Sequence, residues 1–386
     1  MKKALYNILI SLIILIVISL VIFPKEALEA AKGGINLWLF TIAPSLFPFF
    51  IGSELLLQLG IVHFLGNLLE PFMRPLFNVP GSGSFAMAIG YTSGYPVGAQ
   101  IITRLWEEKL CTTEEAERLM AFCNNSGPLF MLGAVAIGMM NSPKAGYIIM
   151  ASNYLAAITT GLLFRFYKKS TRKVTYSKKT GFYSIVVQNK KNFSILLSEA
   201  VTKSVNTILL IGGYVVFFSV VIEFLKLYNI LSLFSSIFKP FFSLLGIEEI
   251  AIPSFLSGIL EITVGSSMIS QLPIPISQKV VLISSIIAWG GISIHGQVLG
   301  VISKTKIGYF PYFIAKSIQF FLAGAYSYLM TILTPLEEQA LTLPAFNMYS
   351  SKNPLNLLQL SSFLFIATLL FLIFLSLTLA FYSKKR

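Results

Sequence analysis

Charge is what this sequence has least of. Asp, Glu, Lys and Arg make up only 12% of its 386 residues, whereas a soluble domain carries about a quarter, because its surface must face water. An ordinary soluble globular domain is thereby excluded. Histidine and cysteine occur twice each. Cys111 and Cys123 have no metal-ligand spacing and allow one disulfide at most, so no metal cluster is expected. Neither a G-x-x-x-x-G-K-[ST] phosphate loop nor a G-x-S-x-G nucleophile elbow occurs. The chain is not expected to hydrolyse ATP or to be an enzyme, and nothing in it calls for a cofactor.

What is present is apolar: 55% hydrophobic residues, 33 of them Phe, with a mean hydropathy of +0.77. Several runs reach or approach the roughly 20 residues needed to cross a ~30 Å hydrocarbon core. Residues 8–23 form the first and 357–382 the last. The first run follows Lys2 and Lys3 as a signal peptide would. Phe23, Pro24 and Lys25 stand where a small-x-small cleavage site belongs, so an uncleaved span is expected.

The net charge of +13 is unevenly spread. Nine Lys and Arg fall between positions 165 and 191 without a single acid, and others crowd both termini. That is the positive-inside pattern of a membrane protein, so the expected partner is the lipid bilayer and not nucleic acid.

An internal repeat organises the rest. Residues 44–57 match 213–226, with Phe49 and Phe50 echoed by Phe217 and Phe218, and Glu54 by Glu223. GYTSGYPVG at 90–98 aligns with GILEITVG at 258–265; NSGP at 125–128 falls opposite WGGI at 289–292; Gly146-Tyr147 answers Gly308-Tyr309. Each half reads as a span, an amphipathic segment, a hairpin, a broken helix and a span. In the first half these lie near 35–57, 60–78, 82–105, 115–140 and 144–167. In the second they lie near 206–228, 231–246, 250–272, 277–303 and 308–333.

About seven apolar residues flank each side of 90–98, enough for roughly 10 Å of helix. Such arms enter a membrane and return, which is tolerated only where protein or water surrounds them. If the hairpins do not cross, each half crosses three times and the halves are inverted. The expected fold is an all-α polytopic membrane protein of two inverted repeats, each with a re-entrant hairpin and a broken helix, plus flanking terminal helices. Its segments are 1–34 (first membrane helix and a short external stretch), 35–167 (repeat one), 168–198 (basic cytoplasmic linker), 199–333 (repeat two) and 334–386 (external loop and last membrane helix). Parity then places both termini and the linker in the cytoplasm.

Inverted repeats with discontinuous helices mark secondary transporters, whose sites lie where the breaks meet. Asn124, Asn125, Ser126 and Gly127, followed by Pro128, suit a helix start that takes an anion. Tyr91, Thr92, Ser93 and Tyr95 offer hydroxyls and aromatic faces at the first tip. Glu261, Thr263 and Ser266 form the second, where a midplane carboxylate pairs, titrates or binds a cation. Gly291, Ser293, His295 and Gln297 follow the second break, and His295 either serves a ligand or simply bonds between helices. Lys316, mid-span opposite Asn153, either neutralises Glu261 or binds a carboxylate.

The motifs GYTSGYPVGA at 90–99, AFCNNSGPLF at 121–130 and GISIHGQ at 291–297 resemble the YlbJ-type sporulation integral membrane proteins, over about residues 38–330. The halves look like Gate domains, shared with nucleoside-recognition and ferrous-iron transport proteins. The resemblance implies a multi-pass protein of the bacterial cytoplasmic membrane, in the outer forespore membrane during sporulation, that passes dipicolinate into the forespore. It departs from the family's pattern at Gln100 and Gly127, where Lys and Asn are frequent. A nucleoside or other metabolite carrier remains an alternative from the same class, and a non-transporting Gate scaffold one from another. A small organic anion is the expected substrate, and the reading allows a homodimer.

Overall fold

The computed structural model describes residues 2–58, 69–168, 192–244, 246–334 and 336, and among them every regular element is a helix. Most of the basic linker, the loop after Leu336 and the apolar run 357–382 lie outside the described residues.

The chain opens with α1 (Lys2–Ile22), then α2 (Pro24–Leu37), which passes through the wide π turn Trp38–Ile42 into α3 (Ala43–Gln58). A π turn at Met73–Phe77 precedes the first hairpin, α4 (Gly83–Ser93) and α5 (Val97–Glu107). Then come α6 (Thr113–Cys123), a break, the π-helical segment Phe130–Met139, and α7 (Pro143–Phe164). The second half runs α8 (Phe193–Leu227), α9 (Ile230–Leu244), a hairpin of α10 (Ile252–Leu260) and α11 (Ile262–Ser270), the broken pair α12 (Ile276–Trp289) and α13 (Gly291–Ile302), and α14 (Tyr309–Leu333). In each half a hairpin of two short arms is followed by a broken helix and a long helix; much of the amphipathic segment expected at 60–78 lies outside the described residues.

Among the described residues, four helical stretches are long and apolar enough to cross a membrane: Pro24–Gly52, Pro143–Phe164, Phe193–Leu227 and Ile276–Ile302. The hairpin arms are not. At 1.5 Å per residue, arms of 11 and 9 residues reach only about 16 and 13 Å. A Cβ on Gly265 would run into Gly258, so the two arms of the second hairpin cross backbone to backbone.

Local chemistry sets the element boundaries. Thr112 and Glu115 close a capping box at the start of α6, the Thr112 Oγ1 accepting the Glu115 amide (3.2 Å) and Glu115 Oε2 the Thr112 amide (2.9 Å). Ser142 caps α7, and Pro143 takes the first position, where no amide hydrogen is needed. At α12 the left-handed Gly290 (φ 91°) ends the helix, and Gly291 (φ 70°) starts the next.

The helices sort into two layers. α2, α3 and α8 pack together, joined where Trp38 Nε1 donates to the Ile208 carbonyl (2.9 Å). The other layer centres on α7, α12 and α14, with the halves interlocked. The last helix of half one grips the broken helix of half two, through Ser152 Oγ to Ser284 Oγ (3.3 Å) and Asn153 Nδ2 to the Ser284 carbonyl (3.3 Å). The last helix of half two does the same to half one, through Tyr312, Lys316 and Gln319. These fall at i, i+4 and i+7, on one face of α14.

Candidate substrate cavity

The first hairpin turns at Gly94 and the second at Glu261, the residue between α10 and α11. The first turn meets the break after Cys123, and the second lies against the other break, where a Cβ on Gly291 would be 3.1 Å from the Leu260 carbonyl oxygen. Gly94 has φ 80°, and a Cβ there would lie 2.7 Å from the Gly127 nitrogen, so the first tip and the first break touch through bare backbone. Around this contact lies a cleft of about 640 Å³, its open mouth included. Ser93, Gly94, Tyr95, Ser126, Gly127, Glu261, Thr263 and Gln297 line one side. Phe49 and Phe50 of α3, with Ile211 and Tyr214 of α8, supply an apolar and aromatic wall. The cleft therefore lies between the two layers.

Helix starts give the cleft its polarity. Leu129 and Phe130 open the segment after the first break; both line the cleft, no side chain caps them, and Pro128 carries no amide hydrogen. The first turn of a helix leaves its amides without intrahelical acceptors and carries partial positive charge. The start of α5 is already served, because Asn124 Oδ1 accepts the Ala99 amide (3.3 Å). So is that of α11, where Glu261 Oε2 accepts the Val264 amide (2.7 Å). Glu261 is 3% exposed and lines the cleft. No Lys or Arg forms an ion pair with it among the described residues.

Seven of the site residues expected from sequence line the cleft: Ser93, Tyr95, Ser126, Gly127, Glu261, Thr263 and Gln297. The others do not, each for a visible reason. His295 is buried between helices, with Nε2 facing the Trp289 carbonyl (3.2 Å) and Nδ1 the Tyr309 hydroxyl (2.9 Å). A carbonyl can only accept, so Nε2 carries the hydrogen and Nδ1 accepts from Tyr309. The ring has nothing left for a ligand. Lys316 does not neutralise Glu261; its ammonium donates to Tyr95 Oη (2.8 Å), Gln319 Oε1 (2.7 Å) and Asn125 Oδ1 (3.3 Å). Asn124 bonds to Tyr312 Oη (3.2 Å) and Asn125 to the Phe122 carbonyl (2.5 Å). Thr92 Oγ1 turns back onto the Ala88 carbonyl (2.8 Å). Tyr91 lies against Tyr154, the rings tilted by 36° with centroids 4.9 Å apart. Ser266, Ser293 and Gly291 are buried away from the wall.

The aromatic wall was absent from that expectation, although Phe49 and Phe50 belong to the repeat. Tyr214 and Ile211 had no distinguishing signal, being apolar or aromatic positions on a long apolar helix. Gln319 was legible only through its spacing from Lys316.

Two short hairpins and two interrupted helices converging on one cleft, inside a helical multi-span protein, define a polytopic membrane protein of transporter-like fold. A family model described as Gate, nucleoside recognition, matches residues 39–167 and 208–310. Over 329 residues the chain is 38% identical to the sporulation integral membrane protein YlbJ of Bacillus subtilis (strain 168), covering 81% of this chain and 79% of that protein. The chain belongs to the Gate family and is a YlbJ-type member of it.

Solved structures agree on the fold. CNTnw is a concentrative nucleoside transporter, and a single-substitution variant of it in an intermediate state superposes with a TM-score of 0.54 at 13% identity, over 87% of this chain and 86% of that one. The inward-facing substrate-bound state of CNTnw gives 0.53 at 13% identity, over 75% and 74% of the two chains.

Proposed function

We propose that this protein is a secondary transporter of a small planar organic anion, with dipicolinate moved into the forespore as the specific cargo. The observation that carries this reading is the uncapped helix start at residues 127–130, opening into a cleft walled by Tyr95 and by Phe49, Phe50 and Tyr214. A carboxylate docks on the free amides, which favour negative charge. The aromatic faces sandwich a flat ring. Glu261, on the same polar side of the cleft, takes a proton, a co-transported cation or a donor on the cargo, since a carboxylate in an apolar site needs a partner.

A second reading has its own support. Glu261, Thr263 and Gln297 together form a hydrogen-bonding edge suited to a sugar or amide, and the family model is described by nucleoside recognition. In both readings the cleft alternates between membrane faces as one layer shifts against the other. We place both termini and the basic linker in the cytoplasm, with the two halves inverted, on the charge and parity argument.

The test is uptake of radiolabelled dipicolinate into proteoliposomes holding the purified protein, with nucleosides as competitors. Saturable dipicolinate uptake that nucleosides leave untouched is the expected result. Uptake of nucleoside alone would replace the first reading by the second, and uptake of neither would remove both.

A further inference from the structure

Lys316 is fully buried, 0% exposed, on the middle of α14. It touches no acid among the described residues, and its three N–H donors meet three oxygens: Tyr95 Oη at 2.8 Å, Gln319 Oε1 at 2.7 Å and Asn125 Oδ1 at 3.3 Å. Three donors on three acceptors suits an ammonium, with the Tyr95 hydroxyl hydrogen spent on the Ile287 carbonyl (3.2 Å). The aromatic faces of Tyr95 and Tyr312 lie 4.9 and 5.9 Å from the nitrogen, within cation–π range.

The partners come from three places. Tyr95 belongs to the tip of the first hairpin and Asn125 to the break of the first broken helix. Gln319, one turn further along α14, passes the link on by donating to the Ala121 carbonyl at the end of α6 (2.6 Å). Tyr95 is held from its other side as well, its hydroxyl donating to the Ile287 carbonyl of α12 (3.2 Å). Its ring lines the cleft, whereas the ammonium behind it does not.

We propose that Lys316 is a positioning residue for the substrate site. Its ammonium is a cation built into the fold, which pins the first hairpin tip to the first break and sets the Tyr95 ring against the cargo. The pin spans both halves of the chain, so the part of the site belonging to half one is held in register by half two. This role rests on the transporter reading, but its mechanical part does not require it.

Two measurements test it. In the first, Ser93→Cys reports the tip without any substrate, in a background lacking Cys111 and Cys123. Adding Lys316→Met, which keeps the length of the side chain and removes the charge, should speed alkylation of that cysteine about tenfold, the scale of one lost charge-assisted hydrogen bond. In the second, uptake by Lys316→Met should show a KM raised about tenfold at little changed maximal rate, and Tyr95→Phe should add nothing to it, because both break one link. Lys316→Ala should recover part of its affinity when methylammonium is supplied, a rescue that a merely structural lysine does not allow.

Unchanged alkylation in Lys316→Met overturns the pin. So do additive effects of Lys316→Met and Tyr95→Phe, or an unrescued alanine variant. If alkylation rises while neither dipicolinate nor nucleoside is transported, the pin stands and the proposed function falls. Should Lys316→Ala fail to insert, Lys316→Met and Tyr95→Phe still decide the matter by alkylation.

Discussion

Glu261 and His295 show how differently two buried polar side chains in one membrane protein are employed. Glu261 caps α11 with one oxygen and lines the cleft, so structure and chemistry meet on it. Glu261→Gln keeps an oxygen for the Val264 amide, whereas Glu261→Ala removes the cap at a cost of about 1 kcal/mol. We expect Glu261→Gln to melt like the parent yet lose uptake about tenfold, a loss of ~1.4 kcal/mol. Glu261→Ala should lose both, as melting and flux on the same preparations would show. His295 bonds on both ring nitrogens to protein alone. His295→Ala should cost about 1–3 kcal/mol of stability, seen as a lower melting temperature, with KM for the cargo unchanged. A raised KM at unchanged melting temperature would return His295 to the site.

At the scale of elements, the hairpins matter because they are too short to cross. Their tips end in the cleft, and the first is fitted to the first break at Gly94 and Gly127. Gly94→Ala sets a side chain on a backbone at φ 80° and drives it toward the Gly127 amide. The strain is about 1–3 kcal/mol, and uptake should fall while total helix content by circular dichroism stays. Gly296→Ala on α13, with nothing within 4 Å of the added methyl, should be neutral or stabilising by up to ~1 kcal/mol. Cysteines at Ser93 and Thr263 should react with small polar thiol reagents and be protected by cargo, whereas cysteines at Thr92 and Ser266 should not. Equal protection at all four positions would mean that the cleft is wider than its walls indicate.

At the scale of the whole molecule, charged contacts tie α6 to the residues around it. Glu115 pairs with Arg74 (2.7 Å), and the buried Glu117 takes Lys168 Nζ (2.9 Å) and the Gly308 amide (3.0 Å). Lys168 is the first residue of the basic linker, and the Glu117 hydrogen bond raises its ammonium above the ordinary lysine value. If the linker and both termini face the cytoplasm, single cysteines at positions 2, 173 and 386 should resist an impermeant thiol reagent in intact cells. The native cysteines interfere little, both being buried, with burial pushing the Cys111 thiol up to about 12. Labelling at any one of the three positions would break the inverted arrangement.

Much was legible before any coordinates. The shortage of charge, the apolar runs and the excess of Lys and Arg at 165–191 establish a multi-span membrane protein, because the bilayer is a solvent whose demands are written into composition. Glycines and prolines at 90–98, 124–128 and 290–291 marked the turns and breaks, since only special backbone positions need those residues. Partnership was not legible. Whether His295, Lys316 or Glu261 faces cargo depends on which oxygens the fold brings within 3 Å of each, and those oxygens come from residues up to 221 positions away in the chain. Residues 312, 316 and 319 announce a polar face on α14, but not what it grips. Only the packing of α14 against the first broken helix decided that this face would close on a tip, a break and a lysine's three hydrogen bonds, because a buried donor bonds whatever acceptor the tertiary fold brings to it.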